Sequence, residues 1–358
     1  MSGRGHPGRG SLSNEAGRFE ATYLTAFDDG WGSLEALQEL PAPQTTVQVD
    51  PARSVLSQNR SPDIPFRYSV NAYKGCEHGC IYCYARPSHE YLNLSAGQDF
   101  ETQLFYKPDA PALLEQALRK PGYACDVISL GANTDPYQPI EKRLQVTRQL
   151  LQVGLDYRQP ISIVTKGTGV LRDLDLLRAL AKHNLVQVFI SVTSLDATLK
   201  RTLEPRAASP AARLRVIREL HHAGIPVGVL VAPVIPGLTD HEIEAILEAV
   251  ADAGASSAHW ILLRLPGAVQ ALFEQWLQAH YPDRASKVLS LLRQCHEGQI
   301  NDPRFGQRMR GSGPVADLIA ARFRRAQRLR GLDQRERLQL DTSQFRPAPR
   351  SGDQFSLI

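Results

Sequence analysis

The chain has 358 residues, of which 42% are hydrophobic and 22% are charged, and its formal net charge is +4. This balance is typical of a globular protein, and the length suits one large α/β domain with appendages or two modest domains. No run of about eighteen apolar residues predicts a membrane span, and no apolar stretch follows the first charged residues as it would in a secretory signal. The expected compartment is the cytoplasm.

Five cysteines are present, at positions 76, 80, 83, 125 and 295, and three of them fall within eight residues. An odd and clustered set does not fit a disulfide framework. In a reducing compartment, such a cluster is more typical of a metal site. The cysteines therefore direct attention to the loop at 75–86.

The first 61 residues predict an irregular arm, because Gly-Arg-Gly repeats and the Pro-Ala-Pro at 41–43 interrupt any periodicity. A short helix is expected within this arm at 32–40. From residue 62 onward, short apolar strands alternate with amphipathic helices. In chain order, strands are predicted at 66–73, 101–106, 127–131, 161–165, 186–192, 227–232 and 259–265, and helices at 110–118, 142–155, 170–183, 211–223 and 239–253.

This alternation favours an α/β fold with a parallel sheet, and the almost continuously apolar strands indicate a sheet covered on both faces. About six βα units are present, fewer than the eight of a closed TIM barrel. We therefore predict a partial (β/α)6 TIM-like barrel over residues 62–270. A helical extension is expected at 271–358, with helices at 267–300 and 314–330 around an irregular piece at 302–313.

The C-terminal extension is basic, since positions 304 to 350 include twelve arginines and four acidic residues. Such an excess of positive charge is typical of segments that bind anionic polymers. A solvated arginine-rich helix is the alternative interpretation. The composition alone leaves both open.

The loop Gly-Cys-Glu-His-Gly-Cys-Ile-Tyr-Cys-Tyr-Ala-Arg, residues 75–86, places Cys76, Cys80 and Cys83 at spacings of three and two residues. Thiolates are soft ligands that suit iron–sulfur clusters and zinc. Three thiolates cap three irons of a [4Fe–4S] cube and leave one corner open, and reactive metal sites need such an open position. Gly75 and Gly79 let the loop turn tightly, because glycine tolerates a positive φ.

A zinc site with His78 or Cys295 as the fourth ligand is the structural alternative. Zinc sites usually show two spaced pairs of ligands, and no second pair is present in the sequence. An electron-transfer ferredoxin would need a fourth cysteine nearby, and the sequence has none there. The spacing favours a cluster with one open iron.

A CxxxCxxC loop with an aromatic residue before its last cysteine, following the first strand of a βα series, resembles the radical S-adenosylmethionine superfamily. The resemblance covers about residues 62–270, and in such barrels the active site lies at the carboxyl ends of the strands. It implies that an external donor of the flavodoxin or ferredoxin type reduces the [4Fe–4S] cluster. S-Adenosyl-L-methionine is then cleaved to methionine and a 5′-deoxyadenosyl radical, which abstracts a hydrogen atom from the substrate.

The resemblance also implies cofactor contacts at the later strand ends. Thr134 and Asp135 stand where the family accepts hydrogen bonds from the methionyl amine, although Asp before proline also favours a plain turn. Lys166 would pair with the carboxylate, with a surface lysine as the alternative. The hydroxyls of Ser191 and Thr193, which alternate onto one face, suit the ribose.

Two further contacts are expected beyond the fourth strand. Glu204 and Arg206 are candidates for the charged end of the cofactor, and Arg206 is preferred because a guanidinium matches a carboxylate. An exposed ion pair in a loop is the alternative. The family grips adenine with backbone from the loop after the fifth strand, where Val234 and Pro236 are the candidates.

The motifs YKGCEHGCIYCYARP, NTDPYQP, VTKG and APVIPGLTD together resemble the branch that includes spore photoproduct lyase, and more closely its uncharacterised bacterial members. The lyase repairs a thymine dimer with a hydrogen-donor cysteine beside the second strand end. This sequence has Ala132 and Asn133 there, and Cys125 precedes the strand, so the resemblance does not extend to photoproduct repair. Tyr82 and Tyr84 are candidate radical or hydrogen relays, with aromatic packing beside the cluster as the alternative.

For the substrate, the sequence indicates only a chemical class. The arginines of residues 301–311 are expected to lie over the barrel mouth, which favours a nucleic acid or another polyanion. A protein or a small molecule is the second interpretation. A hypothesis of another class is a non-catalytic iron–sulfur or zinc protein that serves electron transfer or nucleic-acid binding.

Overall fold

The computed structural model describes residues 8–19, 44–333 and 339–347. The helix expected at 32–40 lies outside these residues. The strands are β1 Thr46–Val49, β2 Leu56–Gln58, β3 Tyr68–Val70, β4 Tyr73–Lys74, β5 Gln103–Tyr106, β6 Ile128–Leu130, β7 Ile161–Thr165, β8 Val186–Ser191, β9 Val227–Val234 and β10 Ser257–Leu262.

The helices are α1 Asp99–Thr102, α2 Ala110–Leu118, α3 Glu141–Leu144, α4 Val146–Asp156, α5 Leu174–Ala181, α6 Ala197–Leu203, α7 Pro210–His222, α8 Ile243–Asp252, α9 Val269–His280, α10 Pro282–Cys295 and α11 Gly313–Leu329. Short 3-10 helices occupy Arg86–Leu92, Gly169–Asp173 and Asp240–Glu242. In the described part of the chain, no helix has the length and apolar character needed to cross a membrane.

The main sheet has the strand order β10-β9-β8-β7-β6-β3-β2. Each neighbouring pair from β3 to β10 is parallel, and β2 adds an antiparallel edge strand beside β3. With helices between its six parallel strands, the sheet forms the partial TIM-type barrel predicted from the alternation. The carboxyl ends of these strands therefore meet at one end of the barrel.

The barrel core forms because its strands are apolar on both faces. Ile163, Val188 and Val229 of the central strands are completely buried, and so are Leu177 and Leu180 of α5. Complete burial of one such side chain contributes about 1.5–3 kcal/mol. Helix α11 adds an outer layer by packing on α8, which is how the C-terminal extension joins the barrel.

Two features of the predicted helices differ from the observed ones. The helix expected at 142–155 is interrupted at Gln145, which has a φ of 53°. The Glu141 carboxylate accepts hydrogen bonds from the Thr147 N–H at 3.2 and 3.1 Å, so it caps α4 and stabilises the break. The helices expected at 170–183 and 239–253 each begin as a 3-10 helix before the α-helical part.

The arm expected to be irregular contains two strands in its described part. β1 pairs in parallel with β5, which also pairs with β4, to form a second, smaller sheet. β2 borders the main sheet. These strands have only four and three residues and are mostly exposed, so each is too short for its pattern to identify a strand in sequence. Helix α6 was also not predicted.

The irregular piece after α10 crosses the opening of the barrel. The Leu262 N–H of β10 donates to the Met309 carbonyl at 2.9 Å. On the other side, the Gly306 N–H donates to Asp63, in the loop between β2 and β3, at 2.7 Å. Residues 302–311, named the bridging segment below, therefore connect the two edges of the open sheet.

Candidate functional site

The cysteine loop, residues 75–86, follows β4 beside the carboxyl end of β3. Cys76 and Cys80 are buried and Cys83 is half-buried. The Cys76 N–H donates to the Phe100 carbonyl at 2.9 Å. Gly79 has a φ of +67°, and a Cβ there would lie 2.8 Å from a carboxylate oxygen of Glu101. The predicted role of the loop glycines in a tight turn is confirmed, since Gly75 and Gly79 both have a positive φ.

The three thiols are close enough to influence one another. Burial raises the pKa of Cys76, and Asp135 and the two neighbouring thiols raise it further. Burial raises the pKa of Cys80 to about 12, against the opposing effect of Lys166. Three neighbouring thiolates in this largely buried loop repel one another unless a cation compensates them, and coordinated iron supplies that positive charge. This donor set fits an iron–sulfur cluster.

The arrangement of side chains fits a site for a single metal ion less well than a cluster site. Among the residues that the structure describes, no group of three His, Cys, Asp or Glu side chains is arranged to hold one metal ion. In a [4Fe–4S] cube, by contrast, each thiolate caps a different iron, so the sulfurs need not converge on one point. The His78 ring, a candidate zinc ligand, has its Nδ1 3.3 Å from Asp135. Cys295 belongs to the main hydrophobic core.

A buried network around Glu204 holds the cysteine loop against the strand ends. The Glu204 carboxylate accepts hydrogen bonds from the hydroxyl of Tyr82, from the Thr193 hydroxyl at 2.9 Å and from Arg213. Burial alone would raise its pKa, but Arg213 and the other partners lower it to about 2. Glu204 is 1% exposed, and its carboxylate is engaged by these three donors within the protein. The Tyr82 hydroxyl is buried in the same network.

Asp135 connects the turn after β6 with two other elements. Its carboxylate accepts hydrogen bonds from the Thr165 hydroxyl at 2.7 Å and from the backbone N–H groups of Lys166 and Tyr137 at 2.7 and 2.8 Å. It also pairs with His78 of the cysteine loop. Burial opposes ionisation, but His78 and these donors lower the pKa of Asp135 to about 2. Its four contacts make it a positioning residue within the protein.

Lys166 is a predicted contact whose charged end lies beside the cysteine loop. Its ammonium is 5.8 Å from the centre of the Tyr82 ring and lowers the pKa of both Cys80 and Cys83. Within the described residues, this ammonium makes no ion pair. A cation in this position is available to an anionic ligand.

The other predicted contacts have partners within the protein. Thr134 donates its hydroxyl to the Tyr73 carbonyl at 3.0 Å. Arg206 forms an ion pair with Glu77 of the cysteine loop at 3.1 Å. The Ser191 carbonyl accepts from Arg213 at 3.0 Å, and the residue is buried.

Val234 ends β9, and its carbonyl accepts a hydrogen bond from the Leu263 N–H at 3.0 Å. This carbonyl, one of the backbone groups predicted to grip adenine, is therefore used in the sheet. Pro236 follows it in the loop after β9 and is also buried. The structure does not bring Val234 into contact with the cysteine loop through any of its described hydrogen bonds.

A second buried ion pair lies behind the cysteine loop, and sequence reasoning missed it. Arg86 and Glu101 are both fully buried and 2.5 Å apart. The same guanidinium donates to the Cys80 carbonyl at 3.0 Å and to the Gly97 carbonyl at 2.8 Å. Arg86 is thus a structural clamp on the loop.

Residues 8–19, named the N-terminal strap below, cover the outside of this clamp. The Gly10 and Ser11 N–H groups each donate to the Glu101 carboxylate at 2.9 Å. A Cβ at Gly10 would lie 1.7 Å from the Gly79 carbonyl oxygen, so the strap contacts the cysteine loop directly. As predicted, this part of the arm has no helix or strand, and its backbone lies over the site.

No cysteine follows β6 at its carboxyl end, and Tyr84 of the cysteine loop contacts the chain at that position. The Tyr84 hydroxyl donates to the Ala132 carbonyl, and its ring is 49% exposed. Cys125 precedes β6, and its thiol lies 3.6 Å from Gln159. The prediction that Cys125 lies before the strand, away from its carboxyl end, is confirmed.

Comparison with known proteins agrees with this arrangement. The family model described as the Radical SAM superfamily matches residues 70–250, about half of the chain. An uncharacterised protein of Mycobacterium tuberculosis is 38% identical over 259 residues, which is 72% of this chain and 75% of that protein. An uncharacterised protein of Methanocaldococcus jannaschii is 31% identical over 176 residues, covering 49% of this chain and 63% of the other.

Among solved structures, a spore photoproduct lyase mutant matches with a TM-score of 0.58 at 16% identity, over 80% of this chain and 79% of that one. Spore photoproduct lyase in complex with the dinucleoside spore photoproduct matches with a TM-score of 0.57 at 15% identity, over 79% of each chain. At this identity, the likeness establishes the fold. The family match, the partial barrel and the three-cysteine loop together identify the chain as a member of the radical SAM superfamily.

Proposed function

We propose that the protein is an enzyme that cleaves S-adenosyl-L-methionine reductively with a [4Fe–4S] cluster bound by Cys76, Cys80 and Cys83. The carrying observation is that three neighbouring thiols, two of them buried and one half-buried, lie at the carboxyl ends of the parallel strands. Catalytic groups of such barrels lie at that end. Family membership supports an enzyme of this class.

When bound, the cluster supplies the electron that breaks the sulfonium–C5′ bond. The protein's own part is to hold and orient. The two buried ion pairs, Arg86 with Glu101 and Arg213 with Glu204, fix the loop from both sides. We assign the S-adenosylmethionine carboxylate to Lys166, because its ammonium lies beside the loop and makes no ion pair within the described residues.

The other predicted cofactor contacts are assigned roles that fit the observed geometry. Asp135 and Thr134 shape the turn around the methionyl amine, with Asp135 held by four partners. Ser191 is kept as the ribose contact and Val234 as part of the adenine wall. Arg206 shares its charge with Glu77, so it is a weaker candidate for the carboxylate than Lys166.

A one-electron donor of the flavodoxin or ferredoxin type is the proposed partner, since reductive cleavage consumes an electron. The cytoplasm is the proposed compartment. All five cysteines are free thiols, which suits reducing surroundings.

We propose a nucleic acid as the substrate class. Fewer arginines support this proposal than the composition implied. Arg322 and Arg330 of α11 pair with Glu244 and Glu248 of α8, so the solvated-helix interpretation describes them better. In the bridging segment Arg304 and Arg308 also pair with carboxylates, so the proposal rests there on Phe305, which is 60% exposed beneath Arg308 in an arrangement that suits base stacking. Binding of DNA or RNA should fall steeply with salt, and negligible binding at low salt would contradict this assignment.

Anaerobic reconstitution with iron and sulfide, followed by dithionite and S-adenosylmethionine, tests the proposal. We expect a brown protein that releases 5′-deoxyadenosine, with no release from Cys80→Ala. Cys125→Ala is the matched control and should retain activity, because this thiol precedes β6. A colourless, zinc-loaded protein without cleavage would favour the non-catalytic alternative.

A further inference from the structure

A second cation lies at the other side of the site. Arg264 follows β10 by two residues, at the carboxyl end of the last parallel strand. Its guanidinium carbon is 5.9 Å from the centre of the Tyr84 ring, in the cysteine loop. On its other side, Nη1 lies 3.7 Å from the Met309 sulfur of the bridging segment. Arg264 is therefore held between the cysteine loop and the bridging segment.

The charge of Arg264 is poorly compensated by the protein. Within the described ranges, it takes part in no ion pair, and its buried Nε has no hydrogen-bond partner. Burial lowers its pKa from the ordinary value, and the nearby Arg308 lowers it further. A buried donor without a partner is unfavourable, so this arrangement needs a reason.

Asp63, the carboxylate that acts electrostatically on Arg264, is already engaged by other groups. Asp63 accepts hydrogen bonds from the Gly306 N–H at 2.7 Å and from Arg308 Nε at 2.6 Å. Arg264 and Arg308 thus share one negative charge between them. An incoming oxyanion would restore the balance and would satisfy the free guanidinium edge.

We propose that Arg264 binds an anionic oxygen group of the substrate, a phosphate or a carboxylate. This inference rests on the proposed function, because it assumes that the substrate enters beside the cysteine loop. Arg264 is half-buried and Tyr84 is half exposed, so the guanidinium lies near the surface of the protein. A planar guanidinium with a free Nε edge matches a two-oxygen acceptor better than a neutral ligand.

The cofactor carboxylate is the other source of such an anion, and the strand order argues against it. Lys166, the proposed partner of that carboxylate, follows β7, whereas Arg264 follows β10. Strands β8 and β9 separate the two in the sheet. Two cations placed this far apart suit two different anions.

The test uses the reconstituted protein, with inorganic phosphate and acetate as probes at constant ionic strength. Affinity is read from the rise in melting temperature with probe concentration. Arg264→Gln should weaken the binding of the preferred probe about tenfold or more, since the lost hydrogen bonds involve a charge. Arg322→Gln removes the same charge at α11 and should leave the affinity unchanged.

A second variant keeps the inference testable if Arg264→Gln does not fold. Arg264→Lys keeps the charge but loses the planar fork, so the affinity should fall between those of wild type and Arg264→Gln. The comparison of phosphate with acetate shows whether the substrate group is a phosphate or a carboxylate. Equal affinities in wild type, Arg264→Lys and Arg322→Gln would overturn the inference.

S-Adenosylhomocysteine, which cannot be cleaved, separates the substrate from the cofactor. We expect it to bind together with the anionic probe. Mutual exclusion would assign Arg264 to the cofactor carboxylate and would overturn the inference. Release of 5′-deoxyadenosine is measured on the same preparation, so a failure of the proposed function is seen independently of the anion site.

Discussion

Glu204→Gln is the substitution that tests most directly how the cysteine loop is held. Glutamine preserves the size of the side chain and keeps one acceptor oxygen, but it removes the charge that faces Arg213. Both side chains of this pair are only 2% exposed. The variant therefore leaves a buried guanidinium without its counter-charge.

Two routes give the size of the effect. Removal of one partner from a buried ion pair usually costs about 3–5 kcal/mol. Independently, the pKa of Glu204 falls from its ordinary value of 4.5 to about 2 in the folded protein. At 1.36 kcal/mol per pH unit, this shift corresponds to about 3 kcal/mol. The agreement supports a loss of about 3 kcal/mol in the free energy of unfolding.

The pKa shift also fixes the direction of the pH dependence. Because the folded pKa lies below the unfolded one, the stabilisation is fully present above pH 4.5 and is lost as the pH falls toward 2. Glu204→Gln should lose stability at neutral pH and should show a flatter acid limb than wild type.

Anaerobic urea unfolding of the reconstituted protein measures this loss. Glu244→Gln is the control, because its pair with Arg322 is exposed on α8 and α11 and should contribute only about 0–1 kcal/mol. If Glu204→Gln cost no more than this control, the buried network would not be what holds the loop.

Three further substitutions test separate parts of the account. A Cβ at Gly10 would clash with a backbone oxygen 1.7 Å away, so Gly10→Ala should raise hydrogen exchange in the N-terminal strap about tenfold or more. Wild-type protection of the strap in Gly10→Ala would contradict the contact. Asp135→Asn should lower the free energy of unfolding by about 1–3 kcal/mol at neutral pH, and a wild-type urea midpoint would argue against its positioning role. Lys166→Gln should weaken S-adenosylhomocysteine binding about tenfold, as measured by calorimetry, whereas Lys182→Gln should not, and equal affinities would remove Lys166 from the cofactor site.

Local patterns in the sequence predicted much of the fold. Strand β7 at Ile161–Thr165 and helix α2 at Ala110–Leu118 have the predicted bounds, because their periodicity and their ends lie within one short segment. The cysteine spacing likewise indicated the site, since its three thiols belong to one loop.

Contacts between distant segments were not predictable in this way. Glu204 and Arg213 lie in different elements, and nothing local shows that each side chain is the other's buried partner. Asp135 has the sequence of an open polar turn, but its oxygens are taken by three separate parts of the chain. The N-terminal strap is recognisable only through the Glu101 carboxylate that it covers.

The central claim is that Cys76, Cys80 and Cys83 hold a cluster that cleaves S-adenosylmethionine. Quantification of methionine and 5′-deoxyadenosine after addition of dithionite to the reconstituted protein tests it most directly. The account predicts equal amounts of both products, dependence on the reductant, and no products from Cys80→Ala alongside normal amounts from Cys125→Ala. Intact S-adenosylmethionine in the presence of a fully loaded, reduced cluster would contradict the account.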